Sequence, residues 1–151
     1  MGGSQTDLSK DFKLWEFVIS QTAERHGINN NPPPEVVQRL TRLCKNILQP
    51  ARDKLGPLKI SSGYRCPELN SRIGGSPSSG HKLGYCADVL PISCSKMAFA
   101  RFVAKNCQFD QIILEFGSPA EPAWIHVSAD PRNRQQILRI LPGTAYAEVN
   151  L

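Results

Sequence analysis

Trp124-Ile125-His126-Val127-Ser128 alternates strictly, with Trp124, His126 and Ser128 on one side of an extended chain and Ile125 and Val127 on the other. Two aliphatics on one face ask for a core. A histidine between a tryptophan and a serine on the other face asks for a groove. The five residues therefore predict a strand in a sheet covered on one side and open on the other, with chemistry on the open side.

Phe109 to Phe116 reads as a second strand, joined to this one through Gly117-Ser118-Pro119-Ala120-Glu121-Pro122-Ala123, which makes a β-hairpin with a long loop. Upstream, Leu58 to Ser62 and Tyr85 to Leu90 are further strand candidates. Pro67 to Ile73 is a short helix and Gly74 to Gly80 a loop, while Ser95 to Asn106 returns to helical spacing through Met97, Phe99, Ala100, Phe102 and Val103. Gln135 to Leu141 and Ala145 to Val149 add two irregular strand candidates at the end.

The first third of the chain is helical in pattern. Phe12, Trp15, Val18, Ile19, Thr22 and Ala23 recur at three and four residues, with Ser9 as an available cap and Gly27 as the stop. A second helix is expected from Pro33 or Pro34, on a face of Val36, Val37, Leu40, Leu43, Cys44, Ile47, Leu48, Ala51 and Leu55. Pro50 should kink it and Gly56-Pro57 should end it. Helices first and hairpin-joined strands later favour an α+β fold: a small, mostly antiparallel sheet with the N-terminal helices packed on one face. Met1 to Leu8 reads as a disordered leader, leaving residues 9–151 as a single domain.

Composition narrows the function. The 151 residues are 40% apolar and 21% charged, which suits a globular domain rather than a disordered chain. No run approaches the roughly 18 apolar residues of a membrane span, and the polar start lacks the apolar stretch of a signal peptide, so synthesis in the cytoplasm and no membrane partner are expected. Eighteen Lys and Arg against thirteen Asp and Glu give +5, which favours an anionic partner. Those cations are scattered from Lys10 to Arg139 without a dense block or aromatic platform, so nucleic acid is not expected. The odd cysteine count, Cys44, Cys66, Cys86, Cys94 and Cys107, excludes a full disulfide framework and points to free thiols.

Of the three histidines, His26 sits at a helix end beside Gly27 and reads as structural. His81 closes the Gly74 to Gly80 loop, Gly84 provides a turn, and Asp88 follows on the next strand. With His126, these residues form a set of two imidazoles and one carboxylate, which can hold zinc while leaving a fourth position for water. Spacing alone is a weak signal, and a loop histidine hydrogen-bonded to a strand-end aspartate stays open as the plainer reading. Pairing of the hairpin strands sets Glu115 near His126, which favours Glu115 over Glu121 as a general base.

The local words are more specific than the spacing. Ser62-Gly63-Tyr64-Arg65, Glu68-Leu69-Asn70, Gly74-Gly75, Ser79-Gly80-His81-Lys82-Leu83-Gly84-Tyr85-Cys86-Ala87-Asp88 and the Trp124-Ile125-His126 word resemble the zinc D-Ala-D-Ala carboxypeptidase and L-alanyl-D-glutamate endopeptidase family, in the branch of phages and gut bacteria that includes endolysins. The family pattern runs SxHxxGxAxD and ends in WxH. The resemblance implies the hedgehog/D,D-peptidase fold, one zinc ion on His81, Asp88 and His126, Glu115 as catalytic base, and Arg65, Ser79 and Trp124 on the substrate side. Peptidoglycan stem peptides are the implied substrate and a monomer the expected state. Wall access would follow lysis, phage delivery or partner-assisted export. Two positions depart from the pattern: Cys86 replaces the small alanine and is expected to pack, and Ala123 stands where some branches carry the catalytic acid. The same fold also serves as a catalytically silent zinc-dependent binding module for wall peptides or a protein partner.

Overall fold

Alternating apolar residues on successive strands give one six-stranded sheet. A computed structural model of the chain describes residues 6–151. Its strands are β1 (Leu58–Ser62), β2 (Cys86–Pro91), β3 (Gln111–Glu115), β4 (Trp124–Ser128), β5 (Gln136–Ile140) and β6 (Ala147–Glu148), in the order β1-β2-β4-β3-β5-β6. All neighbours pair antiparallel except β3 and β5, which run parallel. The expected α+β, mostly antiparallel arrangement is what forms.

Ala87 and Val89, Ile112 and Leu114, and Ile125 and Val127 point to one face and are fully buried. Helix α6 (Lys96–Asn106) lies against them with Phe99, Ala100 and Val103, capped by the Ser95 hydroxyl on the Ala98 N–H at 3.0 Å. Behind it run α3 (Pro34–Leu43), a π-helical turn (Cys44–Leu48) and α4 (Gln49–Leu55), while the short α5 (Pro67–Arg72) follows β1. The π-turn accommodates Pro50: the ladder widens just before a residue that has no N–H to give and whose ring crowds the preceding turn. Among the described residues, no helix is long and apolar enough to cross a membrane.

The first helix departs from expectation. Instead of one helix from Phe12 to Gly27 there are two short ones, α1 (Trp15–Val18) and α2 (Gln21–Arg25), with Ile19 extended between them. Tertiary partners take the carbonyls a longer helix would use: Tyr64 N–H donates to the Phe17 carbonyl at 2.6 Å, and Asn30 Nδ2 donates to that of Val18 at 2.9 Å. Ser20, not Ser9, supplies a cap, to the Ala23 N–H; Ser9 instead donates to Gln49 Oε1. Trp15 and Ile19, expected on the buried face, are 45% and 66% exposed.

The leader expected over residues 1–8 lies outside the described residues for 1–5, and residues 6–8 correct it. Leu8 is 1% exposed within the core, and the Thr6 carbonyl accepts from the Leu14 N–H. The fold therefore includes residues ahead of Ser9.

A buried ion pair joins the late strands. Asp110, 1% exposed, accepts from Arg134 Nη2 at 2.7 Å, Arg134 Nε at 3.0 Å, the Arg134 backbone N–H at 2.8 Å and the Ser128 hydroxyl at 3.2 Å. Burial alone would raise this carboxyl, but the bonds from Arg134 and Ser128 outweigh it and hold the group below the ordinary carboxylate range. Asp110→Ala should cost about 3 kcal/mol in urea unfolding, by stranding Arg134 and Ser128. Because folding favours the ionised form, the wild-type contribution is whole above about pH 4 and drains as pH falls further. The difference between wild type and variant should therefore shrink in acid; a pH-independent gap would assign the loss to packing instead.

Candidate active site

His81 is held from several sides on the open face. It sits in a one-turn 3-10 helix (Gly80–Lys82) whose cap, Ser79, accepts the His81 N–H at 3.2 Å through its hydroxyl. The segment after β1 grips it twice. The Gly63 carbonyl lies 2.7 Å from His81 Nδ1, and the Arg65 N–H donates to the His81 carbonyl at 3.1 Å. With Nδ1–H donating to Gly63, the lone pair of the imidazole is on Nε2, which faces the cleft.

Gly63 can play this part because it has no side chain: a Cβ there would stand 2.6 Å from the Phe17 carbonyl oxygen. Gly84, at φ +82, turns the chain from the 3-10 helix into β2 where a Cβ would meet Val36 at 2.8 Å.

Strand register brings the other donors together. Asp88 on β2 pairs directly with His126 on β4, and its Oδ1 lies 3.0 Å from His126 Nδ1 and 3.5 Å from His81 Nε2. The two imidazole rings stand edge to face with centroids 5.2 Å apart. Glu115 pairs with Trp124 on the same face, one step diagonal from His126, and ligand atoms of Asp88, Glu115 and His126 all lie within 4.8 Å of one another. Glu121 is elsewhere, 80% exposed, with its carboxylate 3.8 Å from Lys96 Nζ.

Cys86 was expected to pack, and it is fully buried, but its neighbours are polar. Its thiol forms a second cluster with His81 and His126, again with all ligand atoms within 4.8 Å. The sequence signal was its parity with Asp88 along β2. Arg65 lines the same cleft, its Nη2 donating to Ser79 Oγ at 3.2 Å while its buried Nε has no partner. Trp124 lines it too, with its ring 5.4 Å from that of Phe116. The cleft, about 570 Å³, is also lined by Asp130, Arg132, Arg134 and Tyr146, which the sequence reading did not single out.

The electrostatics are those of a cation site. Burial works against a charged His81, yet the Cys86 sulfur and the Asp88 carboxylate raise its proton affinity to about 9. His126 is raised for the same reasons, and Asp88 is held well below the usual carboxylate range despite its burial. Burial pushes Glu115 up, helped by the negative Asp88 beside it and opposed by the two imidazoles. A carboxylate and a sulfur that favour positive charge on the imidazoles between them give the cluster the charge and the nitrogen, oxygen and sulfur atoms to hold a divalent metal.

A family model described as Peptidase M15 matches residues 10–128, a span that includes His81, Asp88, His126, Glu115 and Arg65 and ends before Asp130, Arg132, Arg134 and Tyr146. No curated protein matches the chain.

The grip on His81 is testable. Gly63→Ala should displace the carbonyl that orients the ring and weaken zinc binding about 10–100-fold, measured by competition with a chelating dye on protein shown folded by circular dichroism. Undiminished affinity would mean that the Gly63 carbonyl does not set the histidine.

Proposed function

The chain belongs to the Peptidase M15 family, and on that premise we propose that it is a zinc-dependent peptidase that hydrolyses an amide bond in peptidoglycan stem peptides. The observation that carries this reading is the convergence of His81, Asp88 and His126 on the open face, with Glu115 beside them. Two imidazole nitrogens and a carboxylate oxygen suit one zinc ion, and the Gly63 carbonyl fixes the His81 tautomer that leaves a lone pair for it.

When bound there, zinc would supply a Lewis acid and lower the pKa of water to about 7. The chain's own residues do the rest. Glu115 takes the proton of the attacking water and returns it to the leaving amine nitrogen. Arg65 offers its guanidinium fork to a peptide carboxylate or to the scissile carbonyl as negative charge develops, held in place by Ser79. Trp124 gives the cleft an aromatic wall. The +5 charge suits an anionic wall polymer, reached after lysis, by phage delivery or through a partner's export, with the protein working as a monomer. One observation favours a second reading, a catalytically silent zinc-dependent binding module: the Cys86 thiol competes for the space around the donors.

The deciding experiment is incubation of the purified protein with peptidoglycan and stem peptides, with and without a zinc chelator, followed by mass spectrometry. Loss of a terminal D-Ala identifies a carboxypeptidase, an internal cut an endopeptidase, and chelator sensitivity the metal. Intact peptides after exposure to folded, zinc-loaded protein would overturn the enzymatic reading. Glu115→Ala should lower turnover about 10²–10⁴-fold while zinc stays bound, and Asp88→Ala should lose zinc. Preserved turnover in the first variant would move the base away from Glu115.

A further inference from the structure

We propose that the Cys86 thiolate is itself a ligand of the metal, joining His81, Asp88 and His126 in a shell made wholly of protein. This rests on the zinc reading above and changes what kind of zinc centre it describes. Four features of the structure point the same way. Cys86 has the same parity as Asp88 on β2, so strand geometry turns both toward the cleft. Its sulfur lies within 4.8 Å of the donor atoms of both His81 and His126, and donors sharing one zinc ion stand about 3.5 Å apart by ordinary Zn–S and Zn–N bond lengths.

Cys86 is also fully buried yet lies outside the apolar cluster that takes in Cys44 and Cys66, so its burial is among imidazoles rather than among core side chains. Gly80, next to His81, leaves the sulfur its room: a Cβ at that position would stand 3.2 Å from Cys86 Sγ. A cysteine that merely fills space does not need two imidazoles as its neighbours.

The chemistry follows from the added sulfur. Two anionic ligands, Cys86 and Asp88, would cancel the charge of a divalent ion, and a soft thiolate selects zinc over harder ions such as magnesium or manganese. A shell of four protein ligands is the closed form of zinc site, tighter in binding and weaker as a Lewis acid than an open one with three. Peptide hydrolysis there would require the shell to expand or the thiolate to give way to water.

The test is cobalt(II) substitution of the whole purified chain, read by absorption spectroscopy. The wild type should show the weak visible bands of bound tetrahedral cobalt together with an intense near-ultraviolet thiolate-to-cobalt charge-transfer band. Cys86→Ala should lose the charge-transfer band while keeping visible bands from cobalt on His81, Asp88 and His126, and should bind zinc at least 10-fold more weakly in dye competition. Cys86→Ser, closer in size, repeats the measurement should the alanine variant fold poorly. Visible cobalt bands without charge transfer in the wild type, or a charge-transfer band that survives in the variants, would overturn the proposal and leave the three-ligand reading standing. Failure of the wild type to bind cobalt or zinc at all would overturn both.

Discussion

The register between β2 and β4 is the constraint on which the site depends. Asp88 faces His126 only because Cys86 faces Ser128 and Val89 faces Ile125. The side-chain period in a strand is two, so a slip of one residue would turn Asp88 into the core and Ala87 out to the cleft. Ala87, Val89, Ile125 and Val127, all fully buried against α6 and its neighbours, oppose that slip with hydrophobic free energy on the order of 1 to 3 kcal/mol for each large side chain. The apolar face thus fixes the geometry of the polar one. β3 extends the same logic by one strand, which is how Glu115 comes to stand diagonally from His126.

Strand register does not reach His81, which lies on a loop element, and the chain solves this with backbone contacts. The segment Gly63 to Arg65 holds the histidine ring on one side through a carbonyl and its backbone on another through an N–H. The same segment docks on α1, where Tyr64 donates to the Phe17 carbonyl. The contact that interrupts the first helix is therefore part of the support for the site. The apolar spacing of the first helix was real, but propensity yields when a tertiary hydrogen bond captures the carbonyl a further turn would need.

This explains what the sequence made legible. Strands with strict alternation were readable with their faces, including the hairpin that sets Glu115 near His126. Elements held by long-range contacts were not: the break at Ile19 and the inclusion of Leu8 in the core depend on partners distant in the chain. Cys86 is the instructive case at the site. Its parity was visible, but parity cannot distinguish a thiol packed beneath a sheet from one seated between two imidazoles. That depends on where the 3-10 turn places His81. The parallel pairing of β5 with β3 was likewise hidden, because it is secured by Asp110 and Arg134, residues 24 positions apart.

Charge pairing around the cleft separates its three arginines. Arg134 is occupied by Asp110 through two side-chain contacts, and Arg132 by Asp130 at 2.8 Å. Arg65 has only the hydroxyl of Ser79, and among the described residues no carboxylate pairs with it. Its Nε is buried without a partner, an arrangement that carries a desolvation cost until an acceptor arrives. A guanidinium left unpaired beside the metal donors, while its neighbours are neutralised, is the group in this cleft with fixed positive charge to spare for a peptide carboxylate. In the proposed reaction Arg65 would be the anion-binding group, while Arg132 and Arg134 line the same cleft with their charge already paired.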